Sequence, residues 1–256
     1  MDTLLQIGPG AWAVVAMVAL LAGVVKGVVG FAMPMILISG LGSVVSPELA
    51  LAGLILPTVV ANLWQALRQG WRAAWASVRV YWVFLGVGFV VLMAVAQLVP
   101  MMPKPLIFLL IGIPVTLYAS LGVLGIPPRL PGGEGRKGEA TMAVIAGFFG
   151  GISGVWGPPT VAMLTARGTA KADQMRIQGV IYGLGSVALL WAHIVSGVLD
   201  TKTAPLSLLL IAPAVLGLWV GFQISDRIDH KAFRKLTLLV LLIAGLNLIR
   251  RGIMAF

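Results

Sequence analysis

The sequence predicts an all-α polytopic membrane protein, with about eight hydrophobic segments in two homologous four-segment repeats and the first segment of each repeat broken at glycine. Three observations carry this reading. Of 256 residues, 59% are hydrophobic and 10% charged, against about a quarter charged in an ordinary soluble domain. The apolar residues run on continuously for roughly the 20 residues that a bilayer-crossing helix needs, where a membrane β-barrel would alternate over strands of about ten. A motif also occurs twice, 127 positions apart: Ala19, Gly23, Gly27, Val28, Gly30 and Leu37 recur as Ala146, Gly150, Gly154, Val155, Gly157 and Leu164.

Taken in order, the first segment covers residues 11–37, long enough to bend or break. The start of the chain, MDTLLQIGPG, lacks the basic region of a signal peptide, so this segment is expected to stay in the mature protein. Residues 48–67, 79–99 and 105–125 complete the first repeat. Residues 126–140, IPPRLPGGEGRKGEA, read as an exposed linker, because proline and glycine break helices and five charges avoid lipid. The second repeat then runs through 141–165, again long enough to break, 175–198, 204–223 and 235–249. The expected division is 1–125, first membrane repeat; 126–140, polar linker; 141–256, second membrane repeat. Trp64 and Trp191 fall at the same spacing and extend the correspondence into the second segment of each half.

The net charge of +10 reads as basic loops facing the cytoplasm, not as a nucleic-acid surface. With no cysteine, disulfides, thiolate metal sites and cysteine nucleophiles are excluded. The most basic loop of the first half holds Arg68, Arg72 and Arg79 and is placed in the cytoplasm with the central linker. Counting eight spans would then put Arg167, Lys171 and Arg176, and later Arg227, Lys231, Arg234 and Lys235, on the far side, against the charge rule. A fifth segment entering and leaving on one side, broken at Gly157, Pro158 and Pro159, would remove that conflict.

At these motifs the chain resembles the sulfite exporter TauE/SafE family, grouped with toluene-sulfonate uptake permeases. The resemblance rests on AGVVKGVVGFAMP (22–34), SPELALAG (46–53), AGFFGGISGVWGPPTV (146–161) and LGLWVGFQISDRIDHKAFRKLTLLVLLIAGL (216–246). It implies a carrier of the bacterial inner membrane, multi-pass, with two four-helix repeats, moving small anions such as sulfur oxyanions or organosulfonates. The chain departs from the commonest family pattern in Pro158 and Pro159, where many relatives have further glycines, and in Lys26.

The side chains available for chemistry point the same way. All eight carboxylates fall in a terminus, a loop or beside one, whereas cation and proton carriers place acids inside the membrane. An anion pathway is left standing. Lys26 is the only charge well inside an apolar segment and reads as an anion counter-charge or as a snorkelling side chain. Glycines four apart (Gly23 and Gly27, Gly150 and Gly154, Gly217 and Gly221) allow close helix packing. At a helix break, Gly27, Gly30, Gly154 and Gly157 can also expose backbone N–H groups to an anion. Ser153 takes the repeat position of Lys26, and Trp156 that of Val29; both can donate to a sulfonate oxygen. Asn62 and Gln65 on one second segment, and Gln178, Tyr182, Ser186 and His193 on the other, offer a polar path, with Gln178, Tyr182 and Ser186 on one helical face. Arg176 reads as a boundary residue that recruits anions or anchors its helix. His193 is the candidate for proton coupling.

The expected activity is therefore secondary transport of a small anion such as sulfite or sulfoacetate, in the export direction, by alternating access at the repeat interface. The alternatives are an anion channel or a non-transporting assembly partner. A membrane-embedded enzyme is disfavoured, since no HExxH and no intramembrane carboxylate are present. The expected partners are the small anionic substrate and the lipid bilayer, with room for a homo-oligomer. No nucleic acid, no cofactor and no metal are expected.

Overall fold

A computed structural model describes residues 9–97, 103–126, 132–133, 135–153 and 156–254. Its described residues hold eleven helices and no strand: α1 (Pro9–Val29), α2 (Met33–Leu41), α3 (Pro47–Leu67), α4 (Trp71–Val80), α5 (Trp82–Ala96), α6 (Lys104–Val123), α7 (Arg136–Ser153), α8 (Gly157–Ala166), α9 (Lys171–Val195), α10 (Ala204–Arg227) and α11 (His230–Met254). Five of these, α1, α3, α9, α10 and α11, are long and apolar enough to cross a membrane. The pair α4 and α5, bent by 69°, makes a sixth candidate if taken together, and α6 carries a shorter apolar stretch, Phe108–Val123.

The expected segments at 48–67, 105–125, 175–198, 204–223 and 235–249 coincide with α3, α6, α9, α10 and α11. The two long segments are each two helices, α1 with α2 and α7 with α8. Three local expectations change. The basic loop around Arg68 to Arg79 contains a helix, α4, because WRAAWASVRV places Ala74 and Ser77 on a buried face. The third segment is interrupted at Tyr81. The linker ends early, at Arg136, where α7 begins inside a run of charges; Glu139, read as a loop carboxylate, is buried in the first turn of that helix.

Two compact units draw on both halves of the sequence. One comprises Met1–Ala74 with Met175–Asp229, the other Trp75–Gln174 with His230–Phe256.

In the first unit, α1 lies along α10, which also meets α3, while α2 packs on α1 and α3. Small residues permit the close approach of α1 and α10. A methyl group on Gly27 or Gly221 would lie 2.7 Å from the other's Cα, and one on Gly23 or Gly217 would run into backbone of the facing helix. Such small-residue seams stand in for hydrophobic driving force inside a lipid environment. Pro57 sits inside α3 and cannot donate to Gly53, four residues back. Ser207 of α10, fully buried, makes good the loss. Its hydroxyl donates to the Gly53 carbonyl at 3.2 Å and accepts from the Leu56 N–H at 3.0 Å.

In the second unit, α5 packs on α7 and α6 on α11. Gly112 and Gly245 bring the latter pair together: a methyl on Gly112 would lie 3.0 Å from the Gly245 carbonyl oxygen. The short helix α8 is buried from Pro158 to Thr165, and the Tyr118 hydroxyl of α6 donates to its Ala162 carbonyl at 3.0 Å. Glu139 caps α5: its carboxylate accepts from the Phe84 N–H at 3.0 Å. The break at Tyr81 leaves that donor without an intrahelical acceptor, and a carboxylate at a helix N-terminus is favoured by the helix dipole.

Candidate functional site

Four of the polar residues expected to form a path, Asn62, Gln65, Gln178 and Tyr182, converge in the first unit, while Ser186 and His193 do not join them. Lys26 stands in the last turn of α1 and is 1% exposed. Its ammonium donates to Asn62 Oδ1 of α3 at 2.6 Å and to the Gly30 carbonyl at 3.4 Å, and lies 5.7 Å from the centre of the Tyr182 ring of α9. Asn62 in turn donates from Nδ2 to the Tyr182 carbonyl at 3.1 Å. Gln65, one helical turn on, donates from Nε2 to the carbonyls of Gly30 at 3.1 Å and Met175 at 2.8 Å. Gln178 closes the cluster, its side-chain amide lying over Gly30 so tightly that no Cβ would fit there.

The break between α1 and α2 makes this possible. Gly30 has φ +89° and Ala32 φ +74°, left-handed values that end α1 and turn the chain into α2; alanine is rarely found there. The freed Gly30 carbonyl accepts from both Lys26 and Gln65. The C-terminal end of α1, with its partial negative charge, also favours an ammonium.

No carboxylate pairs with Lys26 among the described residues; Arg68, by contrast, is paired with Asp226. When it is protonated, the Lys26 side chain, held by neutral partners, carries a charge that no carboxylate compensates. It has three N–H donors and two acceptors in reach. An anion meeting this group would find a positive charge, an available donor and a low-dielectric setting that strengthens the attraction.

Other expected residues lie apart from this cluster. Gly27 backs onto α10 at Gly221. Arg176, half-buried near the start of α9, donates to the side-chain oxygen of Gln69. His193 lies roughly 16 Å further along α9 than Tyr182, at 1.5 Å per residue; its carbonyl accepts from the Leu199 N–H at 3.0 Å. In the second unit, Trp156 is half-buried at the N-cap of α8, and its carbonyl accepts from the Thr160 hydroxyl at 2.8 Å. Gly157 opens that helix. The Ser153 side chain and Gly154 lie outside the described residues. Trp64 packs edge-on against Phe222, whereas its repeat counterpart Trp191 is 70% exposed.

The family model for the sulfite exporter TauE/SafE matches residues 15–248. The chain belongs to the TauE/SafE family. Among curated proteins and solved structures nothing matches. The TauE/SafE family points to a multi-pass membrane transporter of sulfur anions and away from an enzyme, and the apolar helices fit that setting.

Two parts of this TauE/SafE protein's cluster had no signal in the sequence. The Gly30 and Met175 carbonyls are backbone groups, and every residue carries one. Ser207 and Glu139 were missed: a proline inside an apolar helix does call for a substitute donor, whereas nothing beside Glu139 in the sequence points to the start of α5, the helix that it caps.

Proposed function

We propose that this protein is a secondary carrier for a small sulfur oxyanion or organosulfonate, with Lys26 as the counter-charge, and that it works in export from a bacterial inner membrane. The observation that carries the reading is the buried Lys26 ammonium, held by Asn62, the Gly30 carbonyl and the Tyr182 ring without a carboxylate. Asn62, Gln65, Gln178 and Tyr182 shape the surroundings of that charge. Gly30 supplies the break that opens it, and alternating exposure of the cluster to the two sides moves the anion. An inside-negative potential favours efflux of an anion by about 2.3 kcal/mol per charge per 100 mV. By sequence, Ser153, Gly154, Trp156 and Gly157 are the counterparts of this motif in the second repeat, Arg176 recruits anions at the membrane boundary, and His193 is the group through which a proton would couple.

The chain is taken as eight segments in two repeats, 1–125 and 141–256, joined by 126–140. The helix order supports this. α1 with α2, α3, α4 with α5, and α6 are followed by α7 with α8, α9, α10 and α11, each starting within six residues of the 127-residue offset once α4 is set aside as an extra helix of the first half.

The test is flux of sulfite, thiosulfate, sulfoacetate and taurine into proteoliposomes of purified protein under a clamped potential. Saturable flux is expected, and Lys26→Met should lower it by at least about tenfold, the scale of one lost charged hydrogen bond. Asn62→Asp separates the roles of Lys26. It supplies an internal carboxylate, so a transport counter-charge is neutralised and flux falls while the protein stays folded. A purely structural lysine would show instead as equal loss of folded protein and of flux in Lys26→Met.

A further inference from the structure

Helix α4 stands out from the rest of the molecule. It is ten residues long, and one face, with Ala74 and Ser77, is buried. The other presents Trp71 at 67% and Trp75 at 51% exposure, Val80 at 60%, and the exposed Arg72 and Arg79. Just past the bend, Trp82 continues this surface at 59% exposure. The guanidinium groups lie against the indoles: Arg72 is 5.7 Å from the Trp71 ring centre, Arg79 5.7 Å from that of Trp75, and Arg136 of α7 5.5 Å from that of Trp82. No aspartate or glutamate occurs anywhere in residues 49–133. Asp226 is paired with Arg68 and not with Arg72 or Arg79.

The geometry adds direction. α4 leaves α5 at 69°, and α5 carries no charge from Trp82 to Ala96. With α5 crossing the bilayer near upright, α4 runs close to the membrane plane. Exposed indoles beside arginines on such a helix suit the boundary between acyl chains and headgroups, where an amphipathic ring has one apolar side and one wet side.

We propose that α4 is an in-plane helix whose Trp71, Trp75 and Trp82 seat at the headgroup level and whose Arg72 and Arg79 bind the phosphates of anionic phospholipids. Charge complementarity selects the occupant: a face with cations, indoles and no carboxylate is matched by a negatively charged bilayer surface, each arginine adding about fivefold to the preference for anionic lipid.

The absence of cysteine makes the test direct. In the full chain, Ala76→Cys on the exposed face of α4 carries a bimane fluorophore, and the protein is reconstituted in phosphatidylcholine with phosphatidylglycerol. Brominated phosphatidylglycerol is expected to quench the probe more strongly than brominated phosphatidylcholine. Arg79→Gln and Arg72→Gln, made separately, should each lower that preference by on the order of fivefold while leaving the elution profile of the folded protein unchanged. Equal quenching by the two lipids overturns the proposal, as does a probe quenched by neither lipid and open to aqueous iodide. A probe shielded from both lipid and iodide overturns it in favour of a protein partner or second copy covering the face. A nitroxide at the same cysteine, read for depth by oxygen against a water-soluble nickel chelate, keeps the test valid if bimane disturbs the helix: a position in the aqueous phase sinks the idea.

Discussion

At the scale of the residue, the cluster around Lys26 depends on a strained corner. Gly30 combines a positive φ with contact to the Gln178 amide, so Gly30→Ala introduces both backbone strain and a clash. The expected result is a loss of about 1–3 kcal/mol of stability from the left-handed backbone alone, seen as a lower unfolding midpoint in detergent, together with loss of flux. Asp200, in the turn between α9 and α10, offers a pH prediction. The backbone N–H groups of Thr203 and then Lys202 hold its carboxyl below the ordinary 3.8. A depressed folded-state value gives a contribution that is present above the ordinary carboxylate range and lost as the pH falls through the folded value. Asp200→Asn should therefore remove whatever part of the acid sensitivity of this turn belongs to Asp200, and hydrogen exchange at Thr203, compared between neutral and strongly acidic solution, measures it.

At the scale of the element, the breaks matter more than the spans. Glu139→Ala leaves the Phe84 N–H buried without an acceptor, which costs about 1–3 kcal/mol, and Glu139→Gln, which keeps an acceptor oxygen, should recover much of it; thermal unfolding of the two variants checks the order. Long helices such as α3 and α9 were legible because uninterrupted apolar runs have few alternatives in lipid. The polar cluster was legible for a related reason: Asn62, Gln65, Gln178 and Tyr182 are polar side chains within such runs and need partners, and Asn62 and Gln65 find theirs in the backbone carbonyls of Tyr182, Gly30 and Met175. α4 was not legible, since ten residues with two arginines look like a loop when read for span length. The interruption at Tyr81 carries no glycine or proline to mark it, and the charges of residues 134–139 hid the start of α7.

At the scale of the whole molecule, the sequence halves and the compact units are not the same partition. Helices α1 to α3 of the first half share a unit with α9 and α10 of the second, whereas α5 and α6 share one with α7, α8 and α11. The proposed two-repeat division would thus exchange helices between its copies at the level of packing, a relation that no motif spacing discloses. Orientation is open to measurement on a chain without cysteine. A single cysteine placed at Gly133, in the central linker, should react with a membrane-impermeant maleimide only after the cytoplasmic side is opened, as the positive-inside rule requires. Labelling from the outside would reverse the assignment.

The serine that repairs α3 has a consequence for how this chain can change over time. Pro57 and Ser207 lie on helices far apart in sequence, yet the hydroxyl is needed because the imino acid lacks a donor. Loss of the serine alone strands the Gly53 carbonyl and the Leu56 amide; loss of the proline alone makes the serine superfluous. The two positions should therefore behave as one inherited unit with a preferred order of replacement, proline first. In a double-mutant cycle, Ser207→Ala is expected to be harmful beside Pro57 and nearly silent beside Pro57→Ala, with equilibrium unfolding in detergent as the readout and an interaction of roughly 1–3 kcal/mol.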